Sequence, residues 1–340
     1  MKICHVNLAS GFSGGERQTL TLIREQLRTG YQVVVVANPK SPFVDEVRKL
    51  QCELYLCSQF LLSHSAKITK DSDAVHVHEG RAVYWALIQH LLTGCPYIIT
   101  RRIDNPVKKK KLLNLAYRKA KYVVGLSAAI IDEILASYPA VSIAKVPDSP
   151  VLYPSNSDQV QRIKTQYANK FLIIHAAKLY DHKGFDVTID SARLLESTHP
   201  NLHFALLGDG PEEDALKQRA EGLTNLSFMG RQTNMGDWFT AADLLIHPSY
   251  SEGLGSVILE AIKAGVAVVA SKAGGIPDIV EDGVNGLLVE AGNPTALANS
   301  VARIASDDEL REQLVRNATE KLKPFEIEHT AKLYEKLYTS

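Results

Sequence analysis

The sequence predicts an α/β fold with two doubly wound domains, and three observations support this prediction. Short apolar runs alternate with helical stretches along most of the chain, one proline-rich stretch interrupts them, and 340 residues exceed one ordinary domain. Alternation of this kind is typical of parallel sheets covered by helices on both faces. Ligands of such sheets bind beyond the carboxyl ends of the strands, so we expect the two domains to face a shared cleft.

The first domain, residues 1–150, begins with a β-loop-α-β unit. Lys2–Leu8 is predicted as a strand, Ala9–Gly15 as a glycine-rich loop, and Glu16–Thr29 as a helix that Gly30 ends. A continuous apolar strand, Val33–Ala37, follows. The other strands predicted in this domain are Leu54–Cys57, Ala74–His78, Tyr97–Thr100, Tyr122–Leu126 and Ile143–Val146.

The second domain, residues 151–324, follows a linker predicted over Pro147–Asn169, which holds three prolines and at most one short helix. Helices are predicted at Phe185–Leu195 and Pro294–Ala305. The last helical stretch, Phe325–Tyr338, lies beyond Pro324, and we expect residues 325–340 to pack back on the first domain. The strands predicted in the second domain are Phe171–Ala176, Leu202–Leu207, Leu226–Phe228, Leu244–His247, Ala267–Ala270 and Gly286–Val289.

Composition limits the environment and the partners. The formal net charge is zero, so any contact with nucleic acid or an anionic membrane has to come from a local patch. Four cysteines without CxxC spacing predict a reduced, cytoplasmic protein. Because no signal-peptide pattern opens the chain and no apolar run approaches the ~20 residues that span a bilayer, we expect a protein that is neither secreted nor integral to the membrane.

A glycine loop that runs into a helix, Ser251–Ala261, is the stretch that best indicates a reaction. The predicted helix begins near Leu254, and its N-terminus offers unpaired N–H groups that suit a phosphate. Glu252 and Glu260 lie eight residues apart, roughly 12 Å at helical rise, which suits a hexose at one end and a ribose at the other. Two alternatives remain on spacing alone: a pair of solvated carboxylates, or the acid and nucleophile of a glycosidase, which this geometry serves poorly.

The order of further motifs strengthens the nucleotide-sugar interpretation. The chain resembles the retaining glycosyltransferases of the GT-B fold, family 4 (group 1), over nearly its whole length, and especially bacterial lipopolysaccharide-core and surface-polysaccharide members. The motifs that carry the resemblance stand in the family's order and are Lys178-Leu179, Lys183-Gly184, Leu207–Pro211, Phe228–Arg231, Pro248-Ser249, Glu252-Gly253, the Glu252/Glu260 pair and Ala273–Pro277.

The resemblance implies roles for residues of the second domain. Glu260 would bind the ribose hydroxyls and Glu252 the transferred sugar, while Lys183 and Lys178 would stabilise the departing diphosphate. The family usually has Arg where Lys178 stands, so this position keeps the charge but loses the bidentate fork. The remaining donor-side positions, where backbone groups would contact sugar, phosphate or base, are Gly253, Leu254, Gly255, Gly208 and Arg231. At Gly208 a simple tight turn is the alternative.

In the first domain, Gly14 and Gly15 lie between strand and helix, where their backbone can approach the donor closely. His78, at the end of its strand, resembles the family's active-site histidine, whereas His76 is better explained as a hydrogen-bonded core residue. A metal pair is possible on spacing, but the sequence suggests no third ligand. Asp71-Ser72-Asp73 matches a metal-binding DxD string literally, yet it precedes a strand far from the phosphate site, so we expect no metal requirement and no cofactor beyond the nucleotide sugar.

A basic run between Arg101 and Lys121 remains open to three interpretations. Neighbouring leucines would let it rest on anionic lipid of the inner membrane, whereas its first two arginines could grip an anionic acceptor; a solvated helix face is the third possibility. Nucleic acid is not expected, because aromatic residues are sparse here. The residues assigned to acceptor or membrane are Arg101, Arg102, Lys108, Lys109, Lys110 and Lys111.

These features predict a retaining, metal-independent hexosyltransferase that uses a nucleoside-diphosphate sugar, with a UDP-sugar favoured. The acceptor would be a hydroxyl of a glycan or glycolipid, in lipopolysaccharide core or another surface polysaccharide. Two alternatives are a non-catalytic partner protein that keeps the sugar-nucleotide site, and a sugar-nucleotide epimerase of the same fold. The expected location is the cytoplasm, including the cytoplasmic face of the inner membrane.

Overall fold

The computed structural model describes residues 1–106 and 110–340. They form two compact units: unit 1 contains Met1–Val151 together with Phe325–Ser340, and unit 2 contains Leu152–Pro324. The boundary lies within one residue of the position expected from the sequence. In chain order the strands are β1 Lys2–Asn7, β2 Gln32–Ala37, β3 Glu53–Leu56, β4 Ala74–Val77, β5 Tyr97–Arg101, β6 Tyr122–Gly125, β7 Ile143–Lys145, β8 Phe171–Ala176, β9 Leu202–Leu207, β10 Leu226–Gly230, β11 Leu244–His247, β12 Ala267–Ser271 and β13 Leu287–Val289.

Helices connect most of these strands. In chain order they are α1 Gly14–Arg28, α2 Phe43–Val47, α3 Gly80–Thr93, α4 Lys111–Lys119, α5 Ala128–Ser137, α6 Ser157–Gln166, α7 Phe185–Leu195, α8 Glu213–Arg219, α9 Met235–Ala241, α10 Ser256–Lys263, α11 Pro294–Ser306, α12 Asp308–Lys321 and α13 Ile327–Thr339. Within the part of the chain that the structure describes, no helix has both the length and the apolar character to cross a membrane.

Unit 1 is built on a seven-stranded parallel sheet in the order β3-β2-β1-β4-β5-β6-β7. The strand order reverses between β1 and β4, so the loops after these two strands lie at the switch point where ligands of such sheets bind. The C-terminal helix α13 belongs to this unit, because Tyr334 and Tyr338 are buried in a core cluster with Ile3 and Ile98. Burial on this scale stabilises by roughly 25 cal/mol for each Å² of apolar surface removed from water.

Unit 2 is built on a six-stranded parallel sheet in the order β10-β9-β8-β11-β12-β13. Its switch point lies between β8 and β11, and the apolar faces of α7 and α11 cover the core formed by residues such as Phe204 and Val269. The one short helix expected within the predicted linker is α6. Its first turn is capped by the side chain of Asn156, which accepts the N–H groups of Asp158 and Gln159.

Two predicted helix starts are wrong by two residues, each for a local reason. Helix α1 begins at Gly14 instead of Glu16, because Ser13 and Glu16 form a capping box that brings both glycines into the first turn. Helix α10 begins at Ser256 instead of Leu254, because Gly255 adopts φ 93° and therefore cannot be helical.

Candidate functional site

The two loops at the switch point of unit 2 bring Lys183 and Glu252 together. Lys183 ends a short 3₁₀ turn after β8, and Glu252 follows β11. The Lys183 Nζ donates to Glu252 Oε2 over 2.8 Å, and the two side chains are only 18% and 15% exposed. Two of the predicted catalytic residues, 69 positions apart in sequence, are therefore an ion pair.

Glycines let these loops touch backbone to backbone. Gly184 has φ 71°, and a Cβ there would overlap the carbonyl oxygen of Pro248. Gly274 has φ 50°, and a Cβ there would overlap the carbonyl oxygen of Glu252, which also accepts the N–H of Gly275 over 2.8 Å. Only glycine combines a positive φ with so close an approach. The position of Glu252 is thus fixed by its backbone as well as by its side chain.

His247, the last residue of β11, is a second partner of Glu252 and was not singled out from the sequence. Its Nε2 lies 2.7 Å from Glu252 Oε2 and 3.1 Å from Ser249 Oγ. Burial alone raises the pKa of Glu252, but the hydrogen bond and charge of His247 and the charge of Lys183 lower it to about 2. Glu252 is therefore held as a carboxylate. His247 lies at the end of a central strand, and this position is the sequence signal that could have identified it.

The N-terminus of α10 lies beside this pair. Gly253, Leu254 and Gly255 are buried, and a Cβ on Gly255 would lie 3.5 Å from the Glu252 Cγ. Glu260 is half-buried in the second turn of the helix. The positive end of an eight-residue helix favours an anion at this position.

Three further predicted residues follow the carboxyl ends of strands in the same sheet. Lys178 is exposed just after β8, and Arg231 is exposed just after β10. Gly208 follows β9, where a Cβ would overlap the carbonyl oxygen of Ala177, and its N–H donates to Gly230 over 2.9 Å. The close approach required at Gly208 is between protein loops, which agrees with the tight-turn alternative.

In unit 1, His78 is buried next to the end of β4 and both of its ring nitrogens have protein partners. Its Nε2 lies 2.9 Å from His5 Nδ1, and its Nδ1 lies 3.3 Å from Arg102 Nη1. Burial, followed by the neighbouring His76 and Arg102, lowers the pKa of His78 well below its usual range, so the ring is neutral. A substrate contact by His78 therefore requires one of these two hydrogen bonds to break.

The sequence suggested no third ligand for a metal pair of His76 and His78, but the structure brings a third histidine to them. His5 on β1 lies beside them, and one ligand atom from each residue lies within 4.8 Å of the others. All six ring nitrogens of these histidines nevertheless have hydrogen-bond partners in the protein. His5 Nε2 bonds Gln26, and the two nitrogens of His76 bond Tyr338 and Thr100. A metal ion would have to break this buried network, so these residues fit hydrogen bonding better than metal binding.

Arg102 forms an ion pair with the buried carboxylate of Asp148, which the sequence did not reveal. Its Nε lies 3.3 and 3.2 Å from the two oxygens of Asp148, and an anionic acceptor would have to compete with that carboxylate. The Arg102 Cδ also lies 3.7 Å from the position of a Cβ on Gly15, so the guanidinium stem covers the first turn of α1, where Gly14 is open. Arg101 is half-buried and donates to the carbonyl of Asn105.

The remaining basic residues lie at the start of α4. Lys110 and Lys111 are exposed, as are Leu112 and Leu115 on the same helix. Lys108 and Lys109 lie outside the described residues.

Family models match both units. The model described as glycosyl transferases group 1 matches residues 156–321, and the model described as glycosyltransferase family 4 matches residues 12–147. Among curated proteins, an uncharacterised glycosyltransferase of Methanocaldococcus jannaschii is 24% identical over 90% of this chain and 86% of its own. The lipopolysaccharide core biosynthesis glycosyltransferase LpsE of Rhizobium meliloti is 31% identical over 44% of each chain.

Solved structures identify the fold. Anabaena HepE, crystallised in complex with UDP, matches 100% of both chains with a TM-score of 0.85 at 22% identity. The same protein has also been crystallised with UDP-glucose. Two Rossmann-like units with parallel sheets are the GT-B fold. Because family models match both units, the chain belongs to the group 1 glycosyltransferases, as its ordered motifs predicted, and the solved structures show that it has the GT-B fold.

Proposed function

We propose that this protein transfers a hexosyl residue from a UDP-sugar to a hydroxyl of a glycan or glycolipid, with retention of the anomeric configuration and without a metal ion. The observation that carries the proposal is the Lys183–Glu252 pair beside the N-terminus of α10. A cation, a carboxylate and a helix N-terminus together offer partners for a phosphate and for sugar hydroxyls. UDP is favoured because HepE binds UDP and UDP-glucose.

The proposed donor complex divides the paired residues between two ligand groups. Lys183, with Lys178, would turn to the diphosphate and stabilise the negative charge that builds as UDP departs. Glu252, kept ionised beside His247, would accept hydroxyl hydrogen bonds of the hexose, and Glu260 those of the ribose. The acceptor hydroxyl would attack on the face that the phosphate leaves, and a phosphate oxygen would take its proton.

Two further parts of the proposal concern the acceptor and the membrane. LpsE acts in lipopolysaccharide core biosynthesis, which supports a growing surface glycan as the acceptor. The exposed Lys110, Lys111, Leu112 and Leu115 on α4 would rest on anionic lipid, each Lys contributing about 1 kcal/mol near such a surface. Loss of cosedimentation with phosphatidylglycerol vesicles after neutralisation of Lys108–Lys111 would support this contact; absence of any vesicle binding by the wild type would exclude it.

Calorimetric titration with UDP, GDP, ADP and CMP in EDTA tests the donor site. We expect one nucleoside diphosphate to bind tightly to the wild type and at least about tenfold more weakly to Glu260→Ala, a loss of about 1.4 kcal/mol. Leu194→Ala, an exposed position on α7, is the matched control and should bind like the wild type. No binding of any nucleotide would contradict the donor site, whereas nucleotide binding without sugar transfer would favour the non-catalytic partner protein. Sugar inversion without acceptor would identify an epimerase.

A further inference from the structure

A cavity of about 530 Å³ opens in unit 2, and neither Lys183 nor Glu252 is among the residues that line it. Its walls come from the loop after β8, the first turn of α7, the helix α8 and Tyr250. This volume falls in the range of small-molecule sites. None of the residues assigned to the donor lines it.

Charge excludes a phosphate from this cavity. Asp181, Asp186 and Glu212 all line it, whereas Arg219, the cation in its wall, is already paired with Asp190 over 3.0 Å. The charge of Asp181 and a hydrogen bond with it raise the pKa of Glu212. An excess of carboxylates repels a nucleotide but offers acceptors for hydroxyl groups.

Aromatic rings supply the other wall. The ring of Tyr180 stacks on that of His182 with centroids 5.9 Å apart and planes at 14°. Tyr180 and Tyr250 are 41% and 44% exposed, although both line the cavity. The hydroxyl of Tyr250 donates to Asp186 over 2.8 Å, which fixes the orientation of its ring. Flat apolar faces beside hydrogen-bond acceptors match a pyranose ring, which presents C–H groups on its face and hydroxyls at its edge.

We propose that this cavity binds a neutral sugar unit. Its walls belong to the two loops that hold the candidate reaction site: Asp181 and His182 precede Lys183, and the N–H of Tyr250 donates to the carbonyl of His182 over 2.9 Å. The proposal rests on the proposed function for the source of that sugar, which is a unit of the acceptor glycan, because the donor hexose is assigned to Glu252.

Saturation-transfer NMR tests the site directly. The probes are the methyl glycosides of glucose, galactose, mannose and N-acetylglucosamine, added to the protein with saturating UDP. We expect transfer to the ring protons of at least one glycoside, reduced about threefold to tenfold in Tyr180→Ala and retained in Tyr180→Phe. Leu194→Ala, which removes an equally exposed apolar side chain outside the cavity, should behave like the wild type.

Replacing UDP by UDP-glucose tests this source. We expect undiminished transfer to the glycoside, whereas competition by UDP-glucose would place the donor hexose in the cavity and overturn its assignment to the acceptor. No transfer to any of the four glycosides, or equal transfer with Tyr180→Ala, would overturn the proposal. The UDP protons in the same samples report the donor site separately, so UDP binding without glycoside binding rejects the cavity alone, and glycoside binding without UDP binding rejects the donor site alone.

Discussion

At the scale of single residues, several residues of the candidate sites are paired within the protein. Lys183 and His247 share one oxygen of Glu252, and Arg102 is held by Asp148. Pairing of this kind offsets part of the cost of removing a charge from water. It also means that a substrate binds by exchanging partners, so substitution of one member affects the stability of the protein as well as its turnover.

Lys183→Ala should lower both the turnover and the stability of the protein. Loss of the cation removes leaving-group stabilisation, so we expect turnover to fall more than tenfold, or about 1.4 kcal/mol of barrier. It also leaves the Glu252 carboxylate with His247 as its remaining side-chain partner, which should lower the free energy of unfolding by about 1–3 kcal/mol. Steady-state kinetics and urea unfolding measure the two effects. Lys178→Ala, at an exposed position, is the control for stability and should keep the unfolding free energy within about 0.5 kcal/mol of the wild type. A turnover loss below tenfold in Lys183→Ala would contradict the leaving-group role of Lys183.

The pKa of Glu252 makes a pH-dependent contribution to stability. Because the folded-state pKa is about 2 and lies below the unfolded value of about 4.3, the stabilisation is fully present above pH ~4.3 and is lost as pH falls towards 2. Glu252→Gln removes this group, so the unfolding free energy of the wild type should fall more steeply than that of the variant between pH 4.5 and 2, by on the order of 2 kcal/mol. Parallel slopes for the two proteins in urea titrations would show that Glu252 is not stabilised as a carboxylate.

His247 should act by positioning Glu252. Replacement by Leu keeps the volume but removes the hydrogen bond to Oε2, so the carboxylate should be less well oriented towards the hexose. We expect binding of UDP-glucose to weaken about tenfold while binding of UDP stays within twofold, because UDP lacks the sugar. Calorimetry with both ligands measures the difference, and His247→Gln, whose amide nitrogen reaches the position of Nε2, should restore part of it. Equal weakening of both ligands would indicate a general structural effect instead.

At the scale of secondary structure elements, the sequence predicted most strands because continuous apolar runs are typical of buried parallel strands. It placed the starts of α1 and α10 wrongly, since a capping box and a left-handed glycine decide those positions. It also predicted the motif positions of Lys183 and Glu252 but not His247, His5 or Asp148. His5 and Asp148 act through contacts between elements distant in sequence, and no local spacing encodes such contacts. His247 lies close to Glu252 in sequence, and its place at the end of a central strand was the available signal.

The glycine that packs on Glu252 gives a test of the loop arrangement. Gly274→Ala places a Cβ on the carbonyl oxygen of Glu252, so the loop has to move. Gly265→Ala is a matched control, because Gly265 also has a positive φ, 79°, but a Cβ there meets no atom within 4 Å. Both variants should lose about 1–2 kcal/mol of unfolding free energy, because alanine is strained in the left-handed backbone conformation. Only Gly274→Ala should lose a further 1–3 kcal/mol or more, because its Cβ clashes with the loop. The same variant should also bind UDP-glucose about tenfold more weakly. Equal behaviour in thermal unfolding and calorimetry would show that the close approach does not position Glu252.

At the scale of the whole molecule, the chain returns to unit 1 at its end, and α13 completes a buried hydrogen-bond network there. The direction of this network follows from Arg102, which can only donate. Because the three histidines are neutral, His78 Nδ1 must accept a hydrogen bond and its Nε2 must donate one. The same reasoning then fixes which nitrogen carries the proton in His5 and in His76. From first donor to last acceptor the network runs through Arg102, His78, His5, Gln26, Tyr338, His76, Thr100 and Tyr334.

Tyr338 occupies the middle of this network, so Tyr338→Phe should destabilise unit 1 selectively. The substitution leaves His76 Nδ1 and the Gln26 amide without their partner in a fully buried position, which costs about 1–3 kcal/mol. Thr339→Ala on the same helix removes only an exposed hydroxyl and should change the unfolding free energy by less than about 0.5 kcal/mol. Hydrogen exchange should therefore show faster opening of β1 and β4 in Tyr338→Phe, while UDP affinity, which we assign to unit 2, stays within twofold of the wild type. Uniformly faster exchange in both units, or weaker UDP binding, would show that the network supports more than the unit that contains it.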